Sequence, residues 1–271
     1  MGEESLLPVT KLVNYLLAKP ALALLALLHI RPVNPAYPIS NAFSMELVVF
    51  LFAILFFSWL RPRLLADRPG ATQQSAEFLL TNPMGVGVKD LVDDIVGHGA
   101  ERHIPLMGSI GIFILLANLA ALVPGFSSPT AEKSVPLGCA VVVFLYYNLI
   151  GISKHGPIAY GKTLMGPVKA ISPLMVLIET ISHLARLLSL TVRLWANMMV
   201  GEMLYVSFLG LSISLFYFLG HLNRVGYISA IVPVGVPFAL IIFHIFEAVL
   251  QAFIFTILSI VYLGMAVAEE H

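Results

Sequence analysis

Apolar residues run along this chain in blocks too long and too unbroken for the helices of a water-soluble core. They fall at about 43–60, 104–124, 135–152, 171–219 and 229–267. Crossing a hydrocarbon layer ~30 Å thick takes about 20 helical residues, so each block suffices and the last two exceed the need. Those two must tilt strongly or bend, and "GHLNRVGY" (220–227) separates them as the turn of a hairpin.

The polar stretches between the blocks set the topology. Arg61, Arg63 and Arg68 close the first block, and Lys154, Lys162 and Lys169 follow the third. Positive residues gather on the cytoplasmic side, which puts the N-terminus outside and the C-terminus inside. The loop "GFSSPTAEKS" is short enough to make the second and third blocks an antiparallel pair, and 72–103 reads as an amphipathic helix on the cytoplasmic surface. Near the start, Leu6, Leu7, Leu12, Val13, Leu16 and Leu17 interleave with Lys11, Asn14 and Lys19, as in a helix lying in the membrane interface. Glu3, Glu4 and the following "RPVNP" argue against a cleaved leader. The expected fold is an all-α polytopic membrane protein: one integral membrane domain over 1–271, about five crossing helices, and amphipathic surface helices besides.

Composition agrees. The chain is 59% hydrophobic and 11% charged, with a mean hydropathy of +0.93. Soluble domains are about 45–50% apolar and about 25% charged. Lys+Arg and Asp+Glu balance at 15 each, so no basic field points to nucleic acid. Cys139 is the only cysteine, which leaves no disulfide framework and reads as core packing.

The informative residues are the charges inside the apolar blocks. At ~100° per residue, Glu179, His183, Arg186, Arg193 and Asn197 fall within about 80° of arc and form one stripe. A lipid-facing arginine at mid-membrane costs at least ~2.5–3.5 kcal/mol, so the stripe should face protein, water or a moving partner. Glu179, His183 and Arg186 are spaced to neutralise one another. Arg193 has no acid three or four residues away, where Ser189, Leu190, Ala196 and Asn197 stand. Glu202 lies about 140° from the stripe and ~13 Å further along the axis, out of reach of Arg193 on a straight helix.

The last block repeats the arrangement, with His244, Glu247, Gln251, Phe255 and Tyr262 along one face. Protonatable groups inside apolar layers are how ions are relayed through membranes. The plainer reading makes Gln251 and Tyr262 an interhelical staple, and Asn118 and Asn148 hydrogen-bond glue between helices.

"SLTVRLWANMMVGE" (189–202) and "QAFIFTILSIVYL" (251–263) carry a resemblance. They are similar to the two signature stretches of subunit a from the membrane sector of F-type ATP synthases, and "PLMVLIETISHLARLLSL" upstream fits the same spacing. The order of spans resembles that family along nearly the full length, with residues 1–40 similar only in character. Trp195 stands where the family usually has Phe, and Val200 where Ala or Gly is common; neither change removes a charge.

The resemblance implies a stator ion-channel subunit, not an enzyme by itself, without metal or other cofactor. Its partners would be a ring of small hairpin subunits, each with a membrane-buried carboxylate, peripheral-stalk subunits, and the lipid bilayer, in a bacterial plasma (inner) membrane. Arg193 would face the ring, with Gln251 near it; Glu202 and His244 would line an external half-channel, and Glu179 and His183 a cytoplasmic exit. Glu247 and Asn197 join these as ion-translocation candidates. The transported ion is a proton or sodium, a choice made mainly in the ring.

Two other classes use similar residues. A metal-dependent oxidase could use "HGAERH" (98–103) and the His244/Glu247 pair, but eight histidines include no H-x-x-H-H cluster. A proton-coupled secondary transporter would be expected to show repeats and matched helix breaks in two halves, which five unequal spans do not.

Overall fold

A backbone N–H or C=O left unpaired in hydrocarbon costs several kcal/mol, so apolar blocks of this length resolve into helices that satisfy their own backbone. A computed structural model describes residues 7–27, 29, 31–32, 34–61, 87–97, 99–123, 126–163, 172–221 and 227–268, and among them there is no strand. The helices are α1 (Pro8–Leu27), α2 (Asn41–Leu60), α3 (Val88–Val96), α4 (Ile104–Leu119), α5 (Ser134–His155), α6 (Pro157–Thr163), α7 (Ser172–His221) and α8 (Tyr227–Val267). Short 3₁₀ turns at Ala100–Arg102, Ala120–Leu122 and Pro129–Ala131 flank or join α4 and α5.

The five expected spans appear as α2, α4, α5, α7 and α8, with bounds shifted by a few residues. Arg63, Arg68, Lys169, His98 and the stretch 72–86 lie outside the described residues; of the expected surface helix, 88–96 is described as α3. Among the described residues six helices are long and apolar enough to cross a membrane, the additional one being α1. Its mean hydropathy of 1.3 is the lowest of the six because Lys11, Asn14 and Lys19 interrupt the leucines.

The chain forms two compact units, one of Met1–Ile54, Leu115–Glu132 and Ala196–Leu250, the other of Leu55–Ile114, Lys133–Trp195 and Gln251–His271. In the first, Thr10, Val13 and Asn14 of α1 are buried, while Lys11, Leu12, Tyr15, Leu16 and Lys19 are exposed. The cause is Asn14. Its amide donates to the Thr10 and Ile39 carbonyls at 2.9 and 3.0 Å, and its oxygen accepts from the Ile39 N–H at 3.0 Å. That pinning fixes the approach to α2, whose Met45 and Val49 are buried.

In the second unit the core is built on Met107, Ile114, Val143, Tyr147, Phe255, Ile260 and Leu263. Val92 of α3 is fully buried, and Gly264 is why α3 can sit so close to α8. A Cβ at Gly264 would lie 2.6 Å from Ile95 Cγ2 and 3.0 Å from the Ile95 carbonyl oxygen. α5 ends at Gly156, whose φ of +81° is accessible to glycine at little cost. Its N–H caps the Ile152 carbonyl at 2.8 Å, and Pro157 then opens α6 with the fixed φ that suits a first helical turn. At the far end of α8, the Lys154 ammonium donates to the Val267 carbonyl at 2.9 Å.

Just before α4, the His103 ring nitrogen Nδ1 lies 2.7 Å from the Tyr146 hydroxyl of α5. Burial pushes this imidazole below its usual value, and the Arg102 charge adds to the effect.

Replacing Asn14 by Leu removes both partners of Ile39 from a buried site, and each orphaned backbone group costs about 1–3 kcal/mol. The purified variant should melt several degrees lower and be cut faster by protease in 31–40. His103 generates a pH prediction. Its folded value lies below its unfolded one, so the unfolded chain takes up the extra proton. Stability should therefore be intact above the ordinary histidine value of 6.5 and fall as pH drops through it towards the folded value. A His103→Gln variant should melt with a flatter pH profile over that window.

Candidate ion-translocation site

Polar side chains on α7 and α8 gather in both units, and each gathering has its own chemistry. In the first unit, α7 carries Glu202 and α8 carries His244 and Glu247. Gly201 lets these helices meet at that point: a Cβ there would stand 2.9 Å from Glu247 Oε2 and 3.4 Å from His244 Nδ1. His244 is buried, and neither its Nε2 nor Glu247 Oε2 has a hydrogen-bond partner among the described residues. Buried polar atoms are nearly always paired, so two such atoms one helical turn apart single this place out as a candidate site.

Glu202 is half-buried, and its carboxylate accepts a hydrogen bond from the Ser128 backbone N–H. The loop that presents that N–H is itself locked. Ser128 Oγ donates to the Ala117 carbonyl at 3.0 Å and lies 2.6 Å from Thr130 Oγ1, which donates to Asn118 Oδ1 at 2.6 Å. Asn118 then donates to the Ala248 carbonyl of α8 at 3.4 Å. Asn118 is thus glue between α4 and α8, as its sequence context suggested. Asn197, one step into this unit, is exposed.

In the second unit the acidic end of the stripe neutralises itself. Glu179 Oε1 lies 3.6 Å from His183 Nε2 and 3.7 Å from the Arg186 guanidinium. His183 Nδ1 is 3.2 Å from the Tyr147 hydroxyl of α5, with the two rings stacked at 6.0 Å. Arg186 sits 5.7 Å from the centre of the Tyr262 ring. Tyr160 of α6 donates to Asn148 Oδ1 at 3.0 Å. Burial pushes the Tyr160 phenol above its usual value, opposed by the Arg186 charge and reinforced by that of Glu179. Asn148 therefore ties α5 to α6 in place of two membrane helices.

Arg193 behaves differently from Arg186. It is exposed on α7 and makes no ion pair among the described residues. Neighbouring Leu190 and Leu194 are buried, so these two leucines face inward while the arginine is exposed. Gln251, at the start of this unit's part of α8, is buried at 2% exposure. Sequence reasoning missed Ser128, Thr130 and Tyr147, because a single-helix pattern does not say which loop or neighbouring helix will meet it. It could have found Gly201, since a glycine beside a buried acid in "VGE" is a sign of close approach.

Comparison with known proteins adds an independent result. The family profile described as ATP synthase A chain matches residues 42–264. The chain is 40% identical to ATP synthase subunit a of Koribacter versatilis over 262 residues, 97% of each chain. It is 39% identical to that of Solibacter usitatus over 236 residues, 87% of this chain and 91% of the relative. Against ATP synthase subunit a of Bdellovibrio bacteriovorus the identity is 37% over 195 residues, 72% and 75% of the two chains.

At Gly201 the obstacle to a larger residue is the tip of a flexible side chain, so Gly201→Ala should fold and melt close to the parent. The displaced Glu247 should nevertheless lower ion transport by vesicles carrying the assembled complex several-fold. Gly210→Ala, where a Cβ would meet nothing within 4 Å, should change neither.

Proposed function

The chain belongs to the ATP synthase A chain family and is the stator ion-channel subunit of the rotary enzyme's membrane sector; from that premise we propose how its residues divide the work. Arg193 faces a ring of small hairpin subunits, each with a membrane-buried carboxylate. Glu202, His244 and Glu247 line the half-channel from the outer side, and Glu179 and His183 form the exit to the cytoplasm. Asn197 and Gln251 flank Arg193. The N-terminus is external, the C-terminus is cytoplasmic, the membrane is a bacterial inner membrane, and peripheral-stalk subunits hold the chain still. ATP chemistry belongs to other subunits.

The observation that carries this reading is Arg193: exposed on a membrane helix and unpaired among the described residues. A charge that costs free energy in hydrocarbon is retained where a partner of opposite sign arrives from elsewhere. A carboxylate brought beside a fixed guanidinium favours its ionised form and gives up its proton. Moved away, it can be protonated again from the other half-channel. Arginine suits the post because it stays protonated where a buried ammonium would not. Neither half-channel crosses alone, so ions pass only as the ring turns, driven by ~2.3 kcal/mol per charge per 100 mV.

In inverted vesicles carrying the assembled complex, Arg193→Ala should abolish ATP-driven acidification while leaving subunit assembly intact. Pumping at the parent rate would overturn the assignment.

A further inference from the structure

The acidic end of the stripe is more than a neutralised ion pair, because a third group from another helix completes it. Tyr147 of α5 is buried at 2% exposure, while the His183 and Glu179 side chains of α7 are 15% and 37% exposed. The three therefore make a row from interior to surface, joined at 3.2 Å and 3.6 Å. The first contact is a hydrogen bond. The second is just beyond one, and a small side-chain rotation or one bridging water closes it. Imidazole sits in the middle with one nitrogen toward each neighbour, the arrangement in which histidine passes protons.

Two further observations give the row direction. On the inner side, Tyr147 borders Leu190 and Tyr262, and Leu190 stands one turn before Arg193 on α7. On the outer side, Arg186 holds the Glu179 carboxylate from across the stripe at 3.7 Å. The phenol thus reaches toward the Arg193 end, and the carboxylate toward the surface.

We propose that Tyr147, His183 and Glu179 form a proton relay in the cytoplasmic exit, with the Tyr147 hydroxyl as its inner terminus. This rests on the assignment of Glu179 and His183 to that exit and adds to it a residue, an order and an ion. A proton reaching the Tyr147 oxygen is taken up as the phenol gives its own to His183 Nδ1. The imidazolium then gives the proton on Nε2 to the Glu179 carboxylate, which releases it to water. The neutral ring is left protonated on Nδ1 and regains its starting tautomer by exchange with water at the surface: turned outward about the Cβ–Cγ bond, it releases the Nδ1 proton as Nε2 takes one up, and then turns back. No electron moves, and one proton enters for each that leaves.

The test uses inverted vesicles with the full complex, assembly checked by subunit immunoblot. It reads ATP-driven acidification and, after removal of the peripheral ATPase, passive proton conductance. Tyr147→Phe keeps the ring and loses only the hydroxyl; it should lower conductance about 100-fold, the low end expected for loss of a positioned proton-transfer group. His183→Gly should fall similarly, and imidazole added to the medium, which bathes the cytoplasmic face, should restore most of the rate. Imidazole should not rescue Glu179→Gln. Parent conductance in Tyr147→Phe overturns the relay, and so does a His183→Gly defect that imidazole leaves unchanged, since that is what a packing role predicts. Transport that requires sodium overturns it too. If His183→Gly does not assemble, Tyr147→Phe decides alone. Loss of pumping in Arg193→Ala together with parent rates in both relay variants would refute the relay and leave the stator assignment standing.

Discussion

A charged side chain in hydrocarbon must be answered by something, and the arrangement of α7 and α8 follows from how each charge finds its answer. Glu179 is answered within its own helix by His183 and Arg186. Glu202 is answered by a backbone N–H that a locked loop holds out to it. Arg193 receives no answer from the described residues and is exposed. In the function proposed above, its answer is the carboxylate that the moving ring brings to it.

The supporting structure keeps these answers in place by close approach rather than by bulk. Small residues allow membrane helices to touch, and polar groups bridge them where they do. Gly201 and Gly264 each mark a contact that a single methyl group would disturb. The hydroxyl chain from Ser128 through Thr130 to Asn118 is wholly buried, so its order is fixed by hydrogen-bond geometry and not by solvent. Buried networks of this kind are favourable only when every member is satisfied, which makes their residues difficult to exchange one at a time.

Much of this was legible in the sequence, and the parts that were not share a physical reason. The apolar blocks that become the long helices follow from their length, and the polar stripe from the 3.6-residue period, both of which a sequence displays directly. The pairing of Glu179 with His183 and Arg186 could be read from spacing alone. Asn14 could not: it reads as the wet side of an interfacial helix, and it is buried because the chain 25 residues later supplies two backbone partners. Tyr147 likewise looks like one aromatic among many in "VVVFLYYNLIG", and only the packing of α5 against α7 distinguishes it from Tyr146, which bonds His103 instead. Periodicity tells which residues share a face of one helix; it does not tell what another element will bring to that face.

The Lys154 contact to the Val267 carbonyl has a mechanical consequence. A helix C-terminus carries partial negative charge on carbonyls that lack partners, and ordinarily it frays. Here a cation from α5 grips the last turn of α8, and α3 is pressed against the turn before it through Gly264. A part that must resist a turning neighbour needs ends that do not unwind under sideways load. Two clamps of different kinds, one electrostatic and one steric, make the end of α8 a fixed abutment, able to transmit force into the rest of its unit rather than yield to it.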